Sequence, residues 1–306
     1  MGEENVEPAL RTVFDRVFKP GRGSTIYHYC NTSTLLSVLK TDALWFSDAN
    51  MMNDSEEGRY GYALFERAAN ALLKIAKDKP ALEGLTPDFF NHVDDYLSPR
   101  QLRSHPVIAC FSREPDVLSQ WRAYAQEGQG WAIGFDGDAL AAMPVTLLDV
   151  LYDSDQQLEE VKNTLAAMYL LWRKRGGEFK AAVGSDAILL SSLLLAYKHP
   201  SFREEQEIRA LHELRVDFAE DGWLLVDEGG TASGKEIEGQ PVKFRAAGAS
   251  IVAYVEIPLQ RASGISIRDL WYGPRNPNGP GNAIYPLTQF GHRNVTLYQS
   301  TSSYRG

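Results

Sequence analysis

Cysteine is almost missing from this chain. Cys30 and Cys110 are the only two in 306 residues, too few for a disulfide framework or a four-ligand zinc site. Both are therefore expected as reduced, buried thiols, and no metal site is expected. Long apolar runs are missing too: the stretch from Ile188 to Ala196 is broken by Ser191 and Ser192 and is too short to cross a bilayer, so no membrane association is expected. Met1 to Arg11 is acidic, without an apolar core between basic flanks, which argues against a secretory leader and for a cytoplasmic protein. Positive charge is scarce, with 31 Lys and Arg against 40 Asp and Glu and a net charge of −9, so the surface as a whole repels polyphosphate. No Gly-x4-Gly-Lys-Ser, Gly-x-Ser-x-Gly, His-Glu-x-x-His or Gly-x-Gly-x-x-Gly pattern occurs, which removes the usual support for P-loop ATPase, serine hydrolase, zinc peptidase and dinucleotide-fold readings.

What is present suits a sizeable core: 44% hydrophobic and 11% aromatic residues. The length allows two domains, but one elaborated domain over 25–306, preceded by an N-terminal helix or extension over 1–24, fits the pattern better. Helical spacing runs from Val6 to Phe18 and stops at Pro20-Gly21. Short strands are expected at Ile26 to Cys30 and Ala43 to Ser47, with a helix from Thr34 to Lys40 between them capped by Asn31-Thr32-Ser33. Long helical periodicity then fills a first insertion near 54–100, where Asp54 and Glu57 form a capping box, and a second near 155–200, broken at Gly176-Gly177. Between the insertions lie a buried strand at Pro106 to Ser112, a short helix at Leu118 to Ala125 and a strand at Gly130 to Phe135. The last third reads as strands at Gln206 to His212, Val242 to Ala246, Ile251 to Ile257, Ile265 to Tyr272 and Val295 to Ser300, with a helix near Ala283 to Gln289. Asp227 to Gly239 reads as an exposed, mobile loop.

Three segments could carry chemistry. Glu205-Gln206-Glu207-Ile208-Arg209, read as a strand, puts two carboxylates and a guanidinium in one row. Such a row is unfavourable unless a cation or a reacting centre compensates it; a solvated strand edge is one alternative, and Arg209 serving only as an ion-pair partner of Glu205 or Glu207 is another. Tyr27-His28-Tyr29 puts an imidazole between aromatic rings, equally compatible with a hydrogen-bonded core histidine. Ser119-Gln120-Trp121-Arg122-Ala123-Tyr124 sets Trp121 and Tyr124 on one helix face, suited to a flat polar ligand or simply to packing.

Taken in order, Tyr27-His28-Tyr29, Leu44-Trp45-Phe46-Ser47, Met52-Asn53-Asp54, Phe111-Ser112, the Ser119 to Tyr124 block, Gly130 to Asp136, Phe202 to Arg209, Gly273-Pro274 and Ser300 to Arg305 resemble a bacterial family catalogued as domain of unknown function 2971. An aromatic strand bearing His, a strand ending in Phe-Ser and a late Glu-x-Glu are also similar to the ADP-ribosyltransferase fold. That second resemblance implies an α+β fold whose core is a split mixed or antiparallel sheet with two helical insertions. It implies NAD as substrate, transfer of ADP-ribose to an unknown protein or nucleic-acid acceptor or to water, and a toxin or phage-defence setting. By the same resemblance Glu207 steadies the sugar cation and Glu205 orients or deprotonates the acceptor. His28, Tyr29 and Ser112 hold the dinucleotide, Trp121 or Tyr124 stacks on a ring, and Arg122 or Arg209 faces the pyrophosphate. Ser112 is followed by Arg113 and not by the Thr-Ser pair of the arginine-modifying group, so no target class is implied. The competing expectation is a non-catalytic nucleotide-binding or partner-binding regulatory module.

Overall fold

The computed structural model describes residues 11–18, 23–49, 57–98, 104–177, 181–220, 222–232, 234–259 and 267–304. Residues 11–17 form helix α1. Strand β1 (Thr25–Cys30), helix α2 (Thr32–Thr41) and strand β2 (Ala43–Asp48) follow. Asn31 caps α2 by accepting from the Thr34 N–H at 2.8 Å, so the helix starts two residues before the sequence pattern suggests. The first helical insertion supplies α3 (Glu57–Ala76) and α4 (Pro87–Leu97). Asp54, Pro20 and Gly21 lie outside the described residues, and with them the capping box and the first helix stop.

Strand β3 (Ser104–Ser112) is followed by α5 (Leu118–Tyr124), β4 (Trp131–Asp136), α6 (Gly137–Ala141) and β5 (Thr146–Asp149). The second insertion holds α7 (Ser154–Lys174) and α8 (Ala181–Leu194). Gly176 and Gly177 separate them at φ of 88° and 74°, a conformation that L residues with a Cβ adopt at a cost. Strand β6 (Glu207–Ala219) then leads to β7 (Gly222–Val226), β8 (Gly230–Ala232), β9 (Lys235–Ile237), β10 (Lys243–Ala247), β11 (Ser250–Pro258), β12 (Ile267–Tyr272), α9 (Pro280–Gln289) and β13 (Thr296–Gln299).

Eleven of these strands join one sheet. All its pairings are antiparallel except β12 with β13, so the sheet is mixed and the fold is α+β. Strand β3 is its spine. One edge pairs with β6 along the whole length, from Ser104↔Arg215 to Ser112↔Glu207. The other edge forks. Val107 and Ile108 pair with β2, which continues through β11 to β10, whereas Ser112 pairs with Tyr27 of β1, which continues through β4 to β12 and β13. Ala109, Cys110 and Phe111 have ladder partners on β6 only.

Strand alternation divides the sheet residues between two cores. Val107, Ala109, Phe111, Ile208 and Ala210 pack with Leu35, Leu39 and Leu287 beneath α2 and α9. Ile108, Leu148 and Leu211 face the other way, against Leu64, Phe65, Val161, Leu165, Leu190 and Leu193 of the helical insertions. Each side chain of this size, fully buried, contributes about 1.5–3 kcal/mol. The two insertions are thus one layer, α3 lying against α7 and α4 against α8.

Three short elements escape the sequence pattern. Strand β5 spans only four residues, α6 five, and β7 offers its apolar Trp223-Leu224 as an exposed edge. The segment expected as a mobile loop, Asp227 to Gly239, contains the β8–β9 hairpin. Its base is pinned by the Asp227 carboxylate, which accepts from the Gly229 and Gln240 N–H groups at 2.7 Å each and lies 2.7 Å from His212 Nε2.

Candidate functional site

The fork in the sheet opens a cavity of about 240 Å³. Tyr27, His28 and Tyr29 of β1 form one wall, Trp45 and Ser47 of β2 another, and Ile108 to Phe111 of β3 run between them. Gln120 and Tyr124 of α5, Lys198, Phe202, Glu205, Glu207 and Arg245 complete it. Gln120 and Tyr124 are one helical turn apart, so both face the cavity while Trp121 and Ala125 turn into a small core with Tyr29.

The acidic end of the cavity is built on a break in the chain. Glu205 closes a 3-10 turn (Pro200–Glu205), Gln206 takes a left-handed conformation at φ 44°, and the strand begins only at Glu207. The two carboxylates therefore do not share a strand row as the sequence suggests. Gln206 turns Glu205 back toward Lys198, and the acids meet there instead. Lys198 Nζ donates to Glu205 Oε2 at 2.6 Å and to Glu207 Oε2 at 3.0 Å, with Phe202 beneath it, 4.9 Å from nitrogen to ring centre. Arg209 donates Nε to Glu207 Oε1 at 2.9 Å and Nη2 to Oε2 at 3.0 Å, and its Nη1 reaches the Leu195 carbonyl at 2.8 Å. Tyr124 donates its hydroxyl to Glu205 Oε1 at 2.8 Å.

Two cations thus balance two carboxylates in a buried cluster. Burial alone drives the Glu207 carboxyl toward its neutral form, but the charges of Arg209 and Lys198 outweigh this and hold its pKa below the ordinary glutamate range. Burial also pushes the Tyr124 hydroxyl up, with Glu205 adding to the effect. The Cys110 thiol is likewise raised, by burial and by Glu207, and stays protonated. Lys198 is fixed from behind: Gln157 of α7 donates Nε2 to the Leu151 and Lys198 carbonyls at 2.7 and 2.8 Å.

His28 faces this cluster across the cavity. Its Nδ1 lies 2.9 Å from the Cys110 carbonyl, the group left without a ladder partner by the fork. A carbonyl only accepts, so Nδ1 carries the proton and Nε2 keeps its lone pair. Burial lowers the His28 pKa, against the pull of the Cys110 carbonyl, so the ring is neutral at physiological pH. Tyr27 beside it is pushed up to about 12, chiefly by burial and then by Asp269. At the far rim, Trp45 stacks on Tyr254 with ring centres 4.7 Å apart, and Arg245 donates to Ser47 Oγ at 3.3 Å.

Of the residues singled out in the sequence, His28, Tyr29, Tyr124, Glu205 and Glu207 line this cavity. The others do not. Ser112 lies between β1 and β6, its hydroxyl accepting from the Glu114 N–H at 3.2 Å. Trp121 is fully buried against Tyr29, ring centres 4.8 Å apart, and donates Nε1 to Asp116 at 2.7 Å, so it stacks on protein and not on a ligand. Arg122 is exposed beside Glu127 and Tyr304. Arg209 is 1% exposed and committed to Glu207, so its guanidinium does not face a pyrophosphate. Sequence reasoning missed Lys198, which reads as the polar end of a helix, and named Gln120 only as part of the Ser119 to Tyr124 block, not as a site residue of its own. The pattern of acids in Phe202 to Arg209 was the available clue to Lys198, since two buried carboxylates and one arginine leave a charge to be balanced.

Residues 120–210 match the family model described as protein of unknown function (DUF2971). The family resemblance read from the sequence holds over this segment. It opens on Gln120, closes just after Arg209, and so supplies Gln120, Tyr124, Lys198, Phe202, Glu205 and Glu207 to the cavity. The wall formed by β1, β2 and β3 lies before it in the chain. No curated protein and no solved structure matches the chain. Among the described residues no helix is long and apolar enough to cross a membrane, and no cluster of His, Cys, Asp and Glu is arranged to hold a metal ion.

Proposed function

We propose that the fork cavity binds the nicotinamide–ribose end of NAD and that the protein breaks the bond between them, passing ADP-ribose to water or to a protein or nucleic-acid acceptor. Support comes from the sequence likeness to the ADP-ribosyltransferase fold set out above. The observation that carries the reading is that His28, from the first strand, and Glu205 and Glu207, from the far end of the matched segment, line one cavity at the point where the edge of β3 is opened. At about 240 Å³ this space is smaller than the roughly 300–1,000 Å³ of a complete ligand site. It suits one ring and its sugar, the rest of the dinucleotide leaving over the rim beside Arg245.

The chemistry asks little of the protein. The bond from the sugar C1′ to the pyridinium nitrogen breaks with its electron pair moving to the ring, so neutral nicotinamide departs without a general acid. A sugar cation remains, as in glycoside hydrolysis. An acceptor hydroxyl adds to C1′, and its proton passes to Glu205, whose carboxylate lies at the cavity. Glu207 stays anionic beside it, and His28 Nε2 accepts from a ribose hydroxyl.

One observation favours a second reading. Both Glu207 oxygens are occupied by Arg209 and Lys198, which weakens the field the carboxylate can offer a cation and suits a module that recognises a nucleotide without cleaving it. Purified protein incubated with NAD labelled in the nicotinamide ring separates the two. Transfer predicts release of label, falling about 100-fold or more in Glu205→Gln and His28→Ala. Bound but intact NAD selects the regulatory module, and the absence of both binding and release rejects each reading.

A further inference from the structure

The cavity contains a polar side chain that the chemistry above does not use. Gln120 is 7% exposed and lines the cavity, yet its amide makes no hydrogen bond among the described residues. The amide is open to the cavity, with its donor and its acceptor engaged by no other described residue, so both are available to a ligand. The position is well anchored. Trp121, the next residue, is locked to Asp116 and Tyr29, and Tyr124, one turn on, is held by Glu205. On the opposite wall the Trp45 indole N–H is buried without a partner among the described residues; native interiors pair nearly all such groups, so it points to a partner that enters the cavity from outside.

We infer that Gln120 is a recognition residue for a primary carboxamide on the ligand, pairing with it amide to amide. The inference rests on the proposal that the cavity takes a nicotinamide ring. A glutamine amide presents one acceptor oxygen and one donor NH₂ side by side. A ligand carboxamide presents the same two groups in the reverse order, so a pair of N–H···O bonds satisfies all four. A carboxylate presents acceptors only; it leaves the Gln120 oxygen unpaired and adds an anion to a cavity whose lysine already serves two carboxylates. The site should therefore accept nicotinamide compounds and reject their nicotinate counterparts. Sites built to hydrogen-bond a polar group discriminate strongly against analogues that leave one of their own groups unpaired.

The test is equilibrium binding of matched pairs to the whole chain: NAD against its nicotinic acid analogue, and benzamide against benzoate. Wild type should prefer each carboxamide by about tenfold or more. Gln120→Leu and the near-isosteric Gln120→Met, neither of which can hydrogen-bond the ligand, should lose that preference, with unchanged melting temperature as the folding control. If NAD binds or is cleaved but the carboxylate partner binds equally well, or both variants keep the preference, the role of Gln120 is wrong while the nicotinamide proposal stands. If benzamide is preferred through Gln120 but NAD does not bind, the carboxamide role stands and the dinucleotide proposal falls. If neither carboxamide binds wild type, both fall. Should Gln120→Leu fail to fold, the near-isosteric Gln120→Met and the wild-type preference still decide the matter.

Discussion

Arg209 grips Glu207 with two parallel hydrogen bonds, Nε to Oε1 at 2.9 Å and Nη2 to Oε2 at 3.0 Å, although the two residues are neighbours on one face of the same strand. Both are shut off from solvent, so removing one partner leaves a buried charge without compensation. Glu207→Gln should destabilise the protein by about 3–5 kcal/mol, read as a shift in the denaturant midpoint. The sign of the pH dependence follows from the lowered Glu207 pKa. Its contribution is complete above the unfolded glutamate value of about 4.3 and is lost as pH falls through the lower folded value. Wild type should lose stability through that acid window more steeply than Glu207→Gln.

The β8–β9 hairpin should be held most firmly in a bounded pH range. Burial opposes charge on His212, but the Asp227 hydrogen bond and charge and the Pro144 carbonyl raise its pKa, while the same pairing and the Gly229 and Gln240 N–H groups lower that of Asp227 against its own burial. A raised histidine contributes fully below its unfolded value of about 6.5 and loses the contribution as pH rises through the folded value. A lowered aspartate contributes above about 3.9 and loses it on acidification. Hydrogen exchange at the Gly229 and Gln240 amides should therefore show greatest protection between these limits. In His212→Ala the loss of protection on the alkaline side should disappear.

Most of the secondary structure was legible because it depends on local pattern. The alternation in Ile26 to Cys30, the Asn31 cap and the Gly176-Gly177 break each act within a few residues. The site was legible only in part. His28, Tyr124 and the acids stood out as chemically conspicuous side chains, but Trp121 and Arg209 were equally conspicuous and turned out to be packing and ion-pairing groups. What separates the two sets is the fork in β3, a non-local property: it depends on β1 (Thr25–Cys30) and β2 (Ala43–Asp48) sharing one edge of β3 (Ser104–Ser112), and no local window of sequence contains all three. The left-handed Gln206 was hidden for a different reason. The Glu-x-Glu spacing imitates a strand, and only the Lys198 counter-charge draws Glu205 out of it.

Gly130 provides a steric test of the cavity's rear support. A Cβ there would lie 2.2 Å from the Cys30 carbonyl oxygen and 2.9 Å from the Ala125 Cα, both backbone atoms that cannot swing aside. Gly130→Ala should force β1 away from β4 and α5, at a cost of about 1–3 kcal/mol in unfolding free energy. The same substitution at Gly279, where nothing stands within 4 Å, should be tolerated.

Asp116 joins the C-terminal residues to the cavity wall. Its carboxylate accepts from Trp121 Nε1, from the Ser300 hydroxyl and from the Thr301 N–H and hydroxyl. Asp116→Ala strands the buried indole N–H and frees the tail, so about 1–3 kcal/mol of stability should be lost. Limited proteolysis should then cut near residue 300 before the rest of the chain unfolds. Arg122→Ala, one position beyond Trp121 but on the exposed side, should change stability by less than about 0.5 kcal/mol.

The most direct test of the whole account is a crystal structure of the protein grown with NAD. It should show the nicotinamide ring between the β1 and β2 walls, with the ribose hydroxyls in hydrogen-bonding reach of His28 Nε2 and the sugar C1′ facing Glu205. A fork cavity left empty at saturating NAD, or NAD bound elsewhere on the molecule, would contradict the account.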